Sequence, residues 1–406
     1  MQTRTFLLMG FMATALAACG GGSSSPAAST TPTQAPATGP APIQSVTFTT
    51  GQTASVVIGQ SSFTTSSAAT TASGISGPYG DPAYLNGVLY LGDYYNNRVL
   101  GFNGIPTSSG AAASFVLGQT SFTTSTSGNT LTAMHAPQTT VAYGGDLFVD
   151  EYGGNRIDVY IPAPTAATSA PTAAAPQAIS FTLTASTDGG LSTPETVAVA
   201  GGKLIVTDSK HNRVLIWNTV PSSDTPPSLV LGQTSFSGLT ANQGLAAPTA
   251  ATLNYPAGVW TDGTRLVVLD ETNNRVLIWN TFPTTNDQPA DLVLGQPNFT
   301  TNLANQSSTG AAPTAGTLNN PYDGVTSNGL QLFVTDAGNH RVLIWNTFPT
   351  TNDQAADVVL GQPNMTTAAA ATSSAGENYP VGLLLVGTQL LVTDESNNRY
   401  LVYNGQ

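Results

Sequence analysis

The chain is patterned as short apolar runs separated by polar turns, and this pattern repeats along most of its length. In one copy an apolar run ends at Asp336, a polar turn follows, and a second run begins after Arg341. Two such runs joined by a few Gly, Asn, Ser or Glu residues predict a β-hairpin. No segment shows the period of an amphipathic helix, so the pattern predicts an all-β protein.

The polar turn and the strand after it form a motif that occurs in six copies, at intervals of roughly 60 residues, which indicates a repeat architecture. In each copy we expect an acid that ends one strand to pair with the arginine that opens the next, which would fix the register of the hairpin. The pairs that we assign are Asp93 and Arg98, Asp150 and Arg156, Asp208 and Arg213, Asp270 and Arg275, Asp336 and Arg341, and Asp394 and Arg399. The second copy is looser, with one residue inserted before its arginine.

Two further apolar runs complete each repeat. One follows a proline-bearing loop and ends in Gly-Gln, as in Leu292 to Gln296, and the other starts near a proline, as in Pro256 to Trp260. Strands that are apolar nearly throughout are typically covered on both faces. Six four-stranded antiparallel sheets in sequence predict a six-bladed β-propeller.

On these motifs, from roughly Val46 to Asn404, the chain resembles the NHL-repeat family. The resemblance implies six blades of four antiparallel strands around a central channel. The chain departs from the family pattern in its longer repeats and in the added Gly-Gln. An aromatic residue stands four positions after each arginine, and we expect it to pack between blades. These aromatic residues are Phe102, Tyr160, Trp217, Trp279, Trp345 and Tyr403.

The two ends of the repeat region are complementary. The segment Ser55 to Gln60 resembles an outer strand with no second or third strand before it, whereas the last repeat lacks an outer strand after it. We therefore predict that Val56 to Gly59 pairs with Arg399 to Tyr403. This pairing would close the ring within a domain that covers residues 46–406, and it would remove an exposed sheet edge.

The N-terminal segment predicts export and lipid anchoring. Arg4 precedes a short apolar core, as in a secretory signal peptide over residues 1–18. The sequence Leu16-Ala17-Ala18-Cys19 resembles a bacterial lipobox, which implies cleavage before Cys19 and lipidation of this residue. Residues 19–45 then form a Ser-, Pro-, Ala- and Thr-rich tether. The resemblance implies a lipoprotein of the bacterial cell envelope, held at the membrane by its lipid. Gly20, rather than Asp, follows the cysteine, which by analogy with enteric bacteria favours the outer membrane.

Charge and cysteine content narrow the classes of partner. The chain has Lys+Arg 10 against Asp+Glu 22, and most of its basic residues are the repeat arginines. No basic patch is available for phosphates, so we predict no nucleic-acid partner. Cys19 is the only cysteine, so its lipidation leaves no thiol for a disulfide or a metal.

The leading functional hypothesis is a binding or assembly module with a protein or glycan partner. In a four-stranded meander the motif turns share a face with the long connections between blades, and loops on a rigid scaffold commonly carry binding residues. We call this surface the long-loop face. The three histidines, His135, His211 and His340, are interpreted as turn residues. The sequence therefore favours a binding module over an enzyme.

A carboxylate site is the alternative. Asp81, Glu195 and Asp323 stand where inner strands enter the channel, and other blades differ at these positions. If the three carboxylates converge, they could hold a hard cation such as Ca²⁺ through oxygen ligands. A metal-dependent hydrolase or lyase would follow. A passive structural component of the envelope is the third hypothesis.

Overall fold

A computed structural model describes residues 44–130, 132–165, 181–184 and 190–406. The predicted signal peptide, the predicted lipidation site Cys19 and nearly all of the predicted tether lie outside these residues. Within the described part, no helix has the length and apolar character needed to cross a membrane.

The first strand that the structure describes, β1 (Val56–Ile58), precedes the first three blades. Blade 1 consists of β2 (Ala83–Leu85), β3 (Val88–Asp93), β4 (Arg98–Asn103) and β5 (Phe115–Leu117). Blade 2 consists of β6 (Pro137–Tyr143), β7 (Asp146–Glu151), β8 (Arg156–Tyr160) and β9 (Phe181–Leu183). Blade 3 consists of β10 (Pro194–Ala200), β11 (Lys203–Asp208), β12 (Arg213–Trp217) and β13 (Leu229–Leu231).

The last three blades repeat the same order. Blade 4 consists of β14 (Pro256–Thr261), β15 (Leu266–Asp270), β16 (Arg275–Trp279) and β17 (Leu292–Leu294). Blade 5 consists of β18 (Val325–Ser327), β19 (Leu332–Asp336), β20 (Arg341–Trp345) and β21 (Val358–Leu360). Blade 6 contains β22 (Pro380–Val386), β23 (Gln389–Asp394) and β24 (Arg399–Asn404).

Short 3-10 turns join the second and third strands in every blade except blade 2, and two more lie in those long connections that the structure describes. The hairpin turns are Tyr94–Asn96, Ser209–His211, Glu271–Asn273, Ala337–Asn339 and Glu395–Asn397. The others are Ala241–Gly244 and Ala304–Gln306. The six four-stranded antiparallel sheets confirm the predicted six-bladed β-propeller.

The ring closes as the complementary ends predict. Strand β1 pairs antiparallel with β24 and becomes the outer strand of blade 6. In this register Val56 lies opposite Val402, and Ile58 lies opposite Tyr400. The first and last parts of the domain are therefore held in one sheet, which leaves no unpaired edge at the junction.

The hydrophobic core is divided into six clusters, each of which lies between two neighbouring blades. Trp279 of blade 4, for example, packs with Ile205 and Val214 of blade 3. Trp345 of blade 5 packs with Val267 and Leu269 of blade 4. The aromatic residue four positions after each repeat arginine thus packs against the preceding blade and forms part of the core between the two blades.

The repeat arginine fastens a long connection to its own blade. In blade 5, Arg341 Nε lies 2.7 Å from Asp336 Oδ2, and both side chains are fully buried. Arg341 Nη1 donates to the carbonyl of Met365 at 2.6 Å, and Nη2 donates to the carbonyls of Thr314 and Thr317. The acid–arginine distance is 2.6–2.7 Å in blades 1, 3, 4, 5 and 6. The guanidinium therefore satisfies carbonyls that a buried loop would otherwise leave unpaired.

The Gly-Gln after the outer strand has a similar role. In blade 4, Gln296 Nε2 donates to the carbonyls of Asn274 and Leu303, each at 2.9 Å. The same side-chain amide bridges two carbonyls at Gln60, Gln119, Gln233 and Gln362. This residue links the hairpin turn to the long connection.

A third link, after the repeat arginine and the glutamine, joins each blade to the next. The residue before each repeat arginine has a left-handed backbone, and its side chain accepts the N–H of the residue that opens the following blade. These links, which we call latches, join Asn97 to Ala136, Asn155 to Thr193, Asn212 to Tyr255, Asn274 to Asn320, His340 to Tyr379, and Asn398 to Gly77. Together they form a complete ring on the long-loop face.

The pairing of Asp150 with Arg156 is a wrong prediction. Arg156 Nε lies 2.8 Å from Glu151 and 3.1 Å from Asp158. Glu151 also occupies the register position of the repeat acid, opposite Arg156. The hairpin therefore has the same length as the others, and no residue is inserted. Two adjacent acids made the assignment ambiguous in the sequence, and Asp150 points elsewhere.

Candidate functional site

The inner strands approach one another closely at the long-loop end of the channel. A Cβ atom added at Gly382 would overlap the carbonyl oxygen of Gly80, and one added at Gly258 would overlap that of Asp323. Only glycine permits this approach of backbone to backbone. The inner strands of blades 6 and 1, and those of blades 4 and 5, are consequently in backbone contact where they begin.

Six half-buried tyrosines cover this end of the channel, and we call them the tyrosine cap. They are Tyr79, Tyr94, Tyr152, Tyr255, Tyr322 and Tyr379. The rings of five of them form a connected set, with centroids 5.0 Å apart for Tyr79 and Tyr94, 5.9 Å for Tyr94 and Tyr152, 6.0 Å for Tyr79 and Tyr322, and 6.1 Å for Tyr322 and Tyr379. The sixth, Tyr255, donates its hydroxyl to Glu195, which also accepts the hydroxyl of Tyr322. Tyr79 and Tyr322 come from blades that are not neighbours. The cap therefore bridges the channel mouth.

The cap tyrosines occupy positions that vary from blade to blade. Tyr94 and Tyr152 directly follow the acid that pairs with the repeat arginine, where other blades have Ser209, Glu271 and Ala337. The remaining four stand beside the proline that opens a blade. The repeat arginines, the glutamines and the latches form a framework that recurs from blade to blade, whereas the residue types at the cap positions differ between blades. Such a separation is typical of a site built on a repeated scaffold.

Four carboxylates lie behind the cap, and we call them the carboxylate belt: Asp81, Asp150, Glu195 and Asp323. Asp81 Oδ1 accepts the backbone N–H of Leu383 at 2.6 Å. Glu195 is fully buried and accepts the hydroxyl of Tyr255 at 2.7 Å and that of Tyr322 at 3.0 Å. Two of the cap tyrosines are thus hydrogen bonded directly to the belt.

Asp150 and Asp323 are fully buried, and neither has a hydrogen-bond partner for its carboxyl oxygens. Burial raises the pKa of Asp323 well above its ordinary value, and the negative charges of Glu195, Asp81, Glu271 and Asp150 raise it further. Burial and the charge of Glu195 also raise the pKa of Asp150. These carboxylates disfavour one another's ionised forms, so they release their protons at higher pH than ordinary surface acids do.

Two glutamates extend this negative charge into the cap itself. Glu271 and Glu395 are half-buried and follow the repeat acids of blades 4 and 6. Burial, together with the charge of Glu195, raises the pKa of Glu271 to about 8. Glu395 is hydrogen bonded to the hydroxyl of Tyr79 and to Ser396. The site therefore combines aromatic rings with acids at two depths.

The predicted metal residues are brought to the same end of the channel, but not into a ligand set. Asp81, Glu195 and Asp323 interact electrostatically, as the raised pKa of Asp323 indicates. Among the described residues there is no group of three or more His, Cys, Asp or Glu side chains arranged to hold a metal ion. Asp150 joins the belt, although the sequence assigned it to the hairpin.

The opposite end of the channel has a different character. A cavity of about 290 Å³ opens there between the inner strands, with Tyr84, Val141, Val199, Trp260 and Leu384 in its wall. Asp81 also borders this cavity and keeps partial exposure to it. The two ends are thus an open cavity of mixed polar and apolar lining and an acidic, tyrosine-covered mouth.

Sequence reasoning missed the cap. The histidines are placed in turns, where His211 Nδ1 lies 3.0 Å from Asp208 and His340 forms a latch. The available signal for the cap was the recurrence of tyrosine beside the repeat proline or after the hairpin acid. That signal becomes readable only when the blades are superimposed on one another.

No protein-family model matches the chain, and no curated protein matches it. Similar solved structures include the WD40 β-propeller domain of Doa1, with 10% identity, 89% of this chain and 95% of that chain covered, and a TM-score of 0.44. A catalytically inactive virginiamycin B lyase from Staphylococcus aureus with quinupristin has 14% identity, 80% and 94% coverage, and a TM-score of 0.41. A protein of unknown function from Bacteroides thetaiotaomicron has 14% identity, 87% and 75% coverage, and a TM-score of 0.45. Similarity this low carries no argument about function, and membership of the NHL-repeat family stays a prediction.

Proposed function

We propose that this chain is a binding module whose protein or glycan partner is recognised at the long-loop face. One observation carries the proposal: six tyrosines from five blades converge over one channel mouth. Tyrosine supplies a large rigid contact surface with a polar tip, and it is enriched in binding sites for this reason. The rigid framework below the cap supports the proposal because it leaves the tyrosines preorganised.

The test compares defined glycans and peptides as immobilised ligands for the purified full chain. We expect a subset to bind, and we expect Tyr79→Ala and Tyr322→Ala to weaken binding at least about tenfold, as for a hot-spot aromatic. Tyr84→Ala is the matched control, because Tyr84 lies at the other end of the channel. Binding that survives both cap substitutions, or that only Tyr84→Ala weakens, would contradict the proposal.

We also propose that the module is anchored in a bacterial envelope through lipid on Cys19. The lipobox-like sequence supports this location, and the charge-free tether would hold the propeller away from the lipid surface. In cells, radiolabelled palmitate should enter the wild-type chain but not Cys19→Ser. The variant should also move from the membrane fraction to the soluble fraction. An unlabelled wild-type chain would contradict the lipid anchor.

The metal-dependent hydrolase or lyase is the second candidate, and it is favoured by the unpartnered oxygens of Asp150 and Asp323. A ligand bound only to the folded state at about 100 times its Kd stabilises that state by about 2.7 kcal/mol. A rise of Tm in Ca²⁺ that is lost in chelator and in Asp323→Asn would favour this candidate. The binding-module proposal expects no such rise. A chain that binds neither calcium nor any ligand would fit the passive structural role.

A further inference from the structure

The tyrosine cap and the carboxylate belt together place aromatic rings directly above buried acids. The cap presents half-buried rings at the surface, and beneath it Asp323 and Asp150 are fully buried with no hydrogen-bond partners. Asp323 directly follows Tyr322 in the chain, and its left-handed backbone, with φ of 45°, turns the chain at this point. Unpaired buried carboxylates are costly unless a positive charge compensates them. The charges that act most strongly on the pKa of these two carboxylates are those of other carboxylates.

We propose that the tyrosine cap binds an alkylammonium group, either quaternary or a protonated amine, carried by the ligand of this binding module. This inference rests on the proposed function and names the chemistry of its ligand. The negative face of an aromatic ring attracts an organic cation, and Tyr is among the residues that form such sites. The acids behind the rings would repel an anion, and a neutral glycan would gain no charge–charge attraction from them.

The hydrogen bonds of the cap strengthen this preference. Tyr255 and Tyr322 donate their hydroxyl protons to Glu195, which leaves their rings richer in electrons. Glu271 and Glu395 bring two more carboxylates to the edge of the cap. A bare metal ion would need several oxygen ligands around one point, and the described acids do not provide that arrangement. The rings and dispersed acids suit a large, weakly hydrated cation.

The first experiment is calorimetric titration of the purified full chain with choline and with its uncharged isostere, 3,3-dimethylbutanol. Choline should bind at least tenfold more tightly than the isostere, because only choline carries the charge. Titrations with NaCl and CaCl₂ at matched ionic strength control for screening and for metal binding. Equal affinity for choline and the isostere, or tighter binding of calcium than of choline, would overturn the inference.

The pH dependence provides an independent test of the same inference. Burial raises the pKa of Glu271 to about 8, so this acid is largely protonated at pH 6 and largely ionised at pH 9. A cation favours the ionised form, so choline affinity should fall at least tenfold from pH 9 to pH 6. Choline binding at pH 7.5 should also release protons to the buffer. Affinity that is independent of pH would contradict a role for these carboxylates.

Substitutions in the cap and the belt test where the cation binds. Asp323→Asn removes a charge without removing volume, and Tyr322→Phe keeps the ring but removes the hydrogen bond to Glu195. Each should weaken choline binding about fivefold or more, whereas Tyr84→Phe should not. Circular dichroism spectra confirm that each variant is folded. If both cap variants bind choline as the wild type does, the cation is bound elsewhere and the inference fails.

Two larger ligands distinguish the sources of an alkylammonium group: a lysine-containing peptide and a glucosamine oligosaccharide, each with its N-acetylated counterpart. The inference expects one free-amine ligand to bind more tightly than its acetylated form. If only acetylated or uncharged ligands bind, and Tyr79→Ala abolishes this binding, then the cation inference fails while the proposed binding function stands. If no ligand of either kind binds, both fail.

Discussion

At the scale of single residues, the same side chain is structural in one place and functional in another, and its partners decide which. Asp336 is fully buried, but Arg341, Asn339 and the N–H of Asn319 satisfy its oxygens. Asp323 is equally buried and has none of these partners. The first carboxylate organises a hairpin, whereas the second stores unfavourable electrostatic energy at the channel mouth.

Asp323→Asn should therefore stabilise the empty protein. Removing an unsatisfied buried charge should raise the free energy of unfolding at pH 8 by about 1–3 kcal/mol. The raised pKa of Asp323 means that its cost is absent below the ordinary value of 3.8 and develops as the pH rises. Urea denaturation should show a larger gain at pH 8 than at pH 5. A destabilised variant at pH 8 would mean that Asp323 has a favourable partner.

At the scale of elements, the hairpin with its arginine is the unit that the chain repeats. The guanidinium joins the second strand, the third strand and a long connection, so its loss should loosen all three. The near-identity of blades 4 and 5 over this unit also explains why it is recognisable in the sequence. Blade 2 departs from it, because Glu151 replaces the usual aspartate and Asp158 adds a second acid to Arg156.

Arg341→Ala should lower the free energy of unfolding by about 3–5 kcal/mol, since it leaves Asp336 buried without its cation. Lys210→Ala is the control, because Lys210 is exposed in the equivalent turn of blade 3, and its change should stay within about 0.5 kcal/mol. Urea denaturation measures both. A loss below about 1 kcal/mol for Arg341→Ala would show that the arginine pair does not hold the hairpin.

The latch of blade 5 should be sensitive to acid, because His340 uses Nδ1 as an acceptor for the N–H of Tyr379. Burial lowers the pKa of His340 below its ordinary value of 6.5. Its stabilising contribution is therefore present above pH 6.5 and is lost as the pH falls through the lowered pKa. His340→Asn, which copies the other latches, should match the wild type at pH 8 and exceed it in stability at pH 5. An identical pH profile for the two chains would contradict this assignment.

At the scale of the whole molecule, the closed ring forces acids from different blades together at one end of the channel. Burial also raises the pKa of Glu377, to about 8, although Glu377 lies away from the cap and its Oε1 accepts the hydroxyl of Tyr403. Glu271 and Glu377 share the same direction of shift, from 4.5 to about 8. The molecule thus accumulates buried groups that prefer to be protonated.

The free energy of unfolding should consequently fall as the pH rises from 5 to 8. A raised carboxyl pKa contributes stability that is fully present below the ordinary value and is lost as the pH rises through the raised one. The lowered pKa of His340 acts in the opposite direction, but it is one group against several. Urea midpoints at the two pH values measure the balance. A higher urea midpoint at pH 8 than at pH 5 would contradict the predicted fall in stability.

The fold was predictable because its determinants are local, whereas the site was not. Asp336, Arg341 and Trp345 lie within one short segment, so one copy of the motif specifies a hairpin and six copies specify a ring. The cap joins Tyr79 to Tyr322, which only the closed ring brings into contact. Asp150 was assigned wrongly because two adjacent acids offer the same local pattern, and only the register chooses Glu151. The site could not be predicted because it depends on residues that are distant in sequence and on strand register, and a single sequence specifies neither.

The most direct test of the account is hydroxyl-radical footprinting of the full chain, read residue by residue by mass spectrometry, with and without saturating choline. The account predicts protection of Tyr79, Tyr94 and Tyr322 of the cap, with Tyr84 in the opposite cavity unchanged. Protection of Tyr84 without protection of the cap would place the ligand at the other end of the channel. An unchanged footprint at every tyrosine would contradict the central claim that the cap is a cation-binding site.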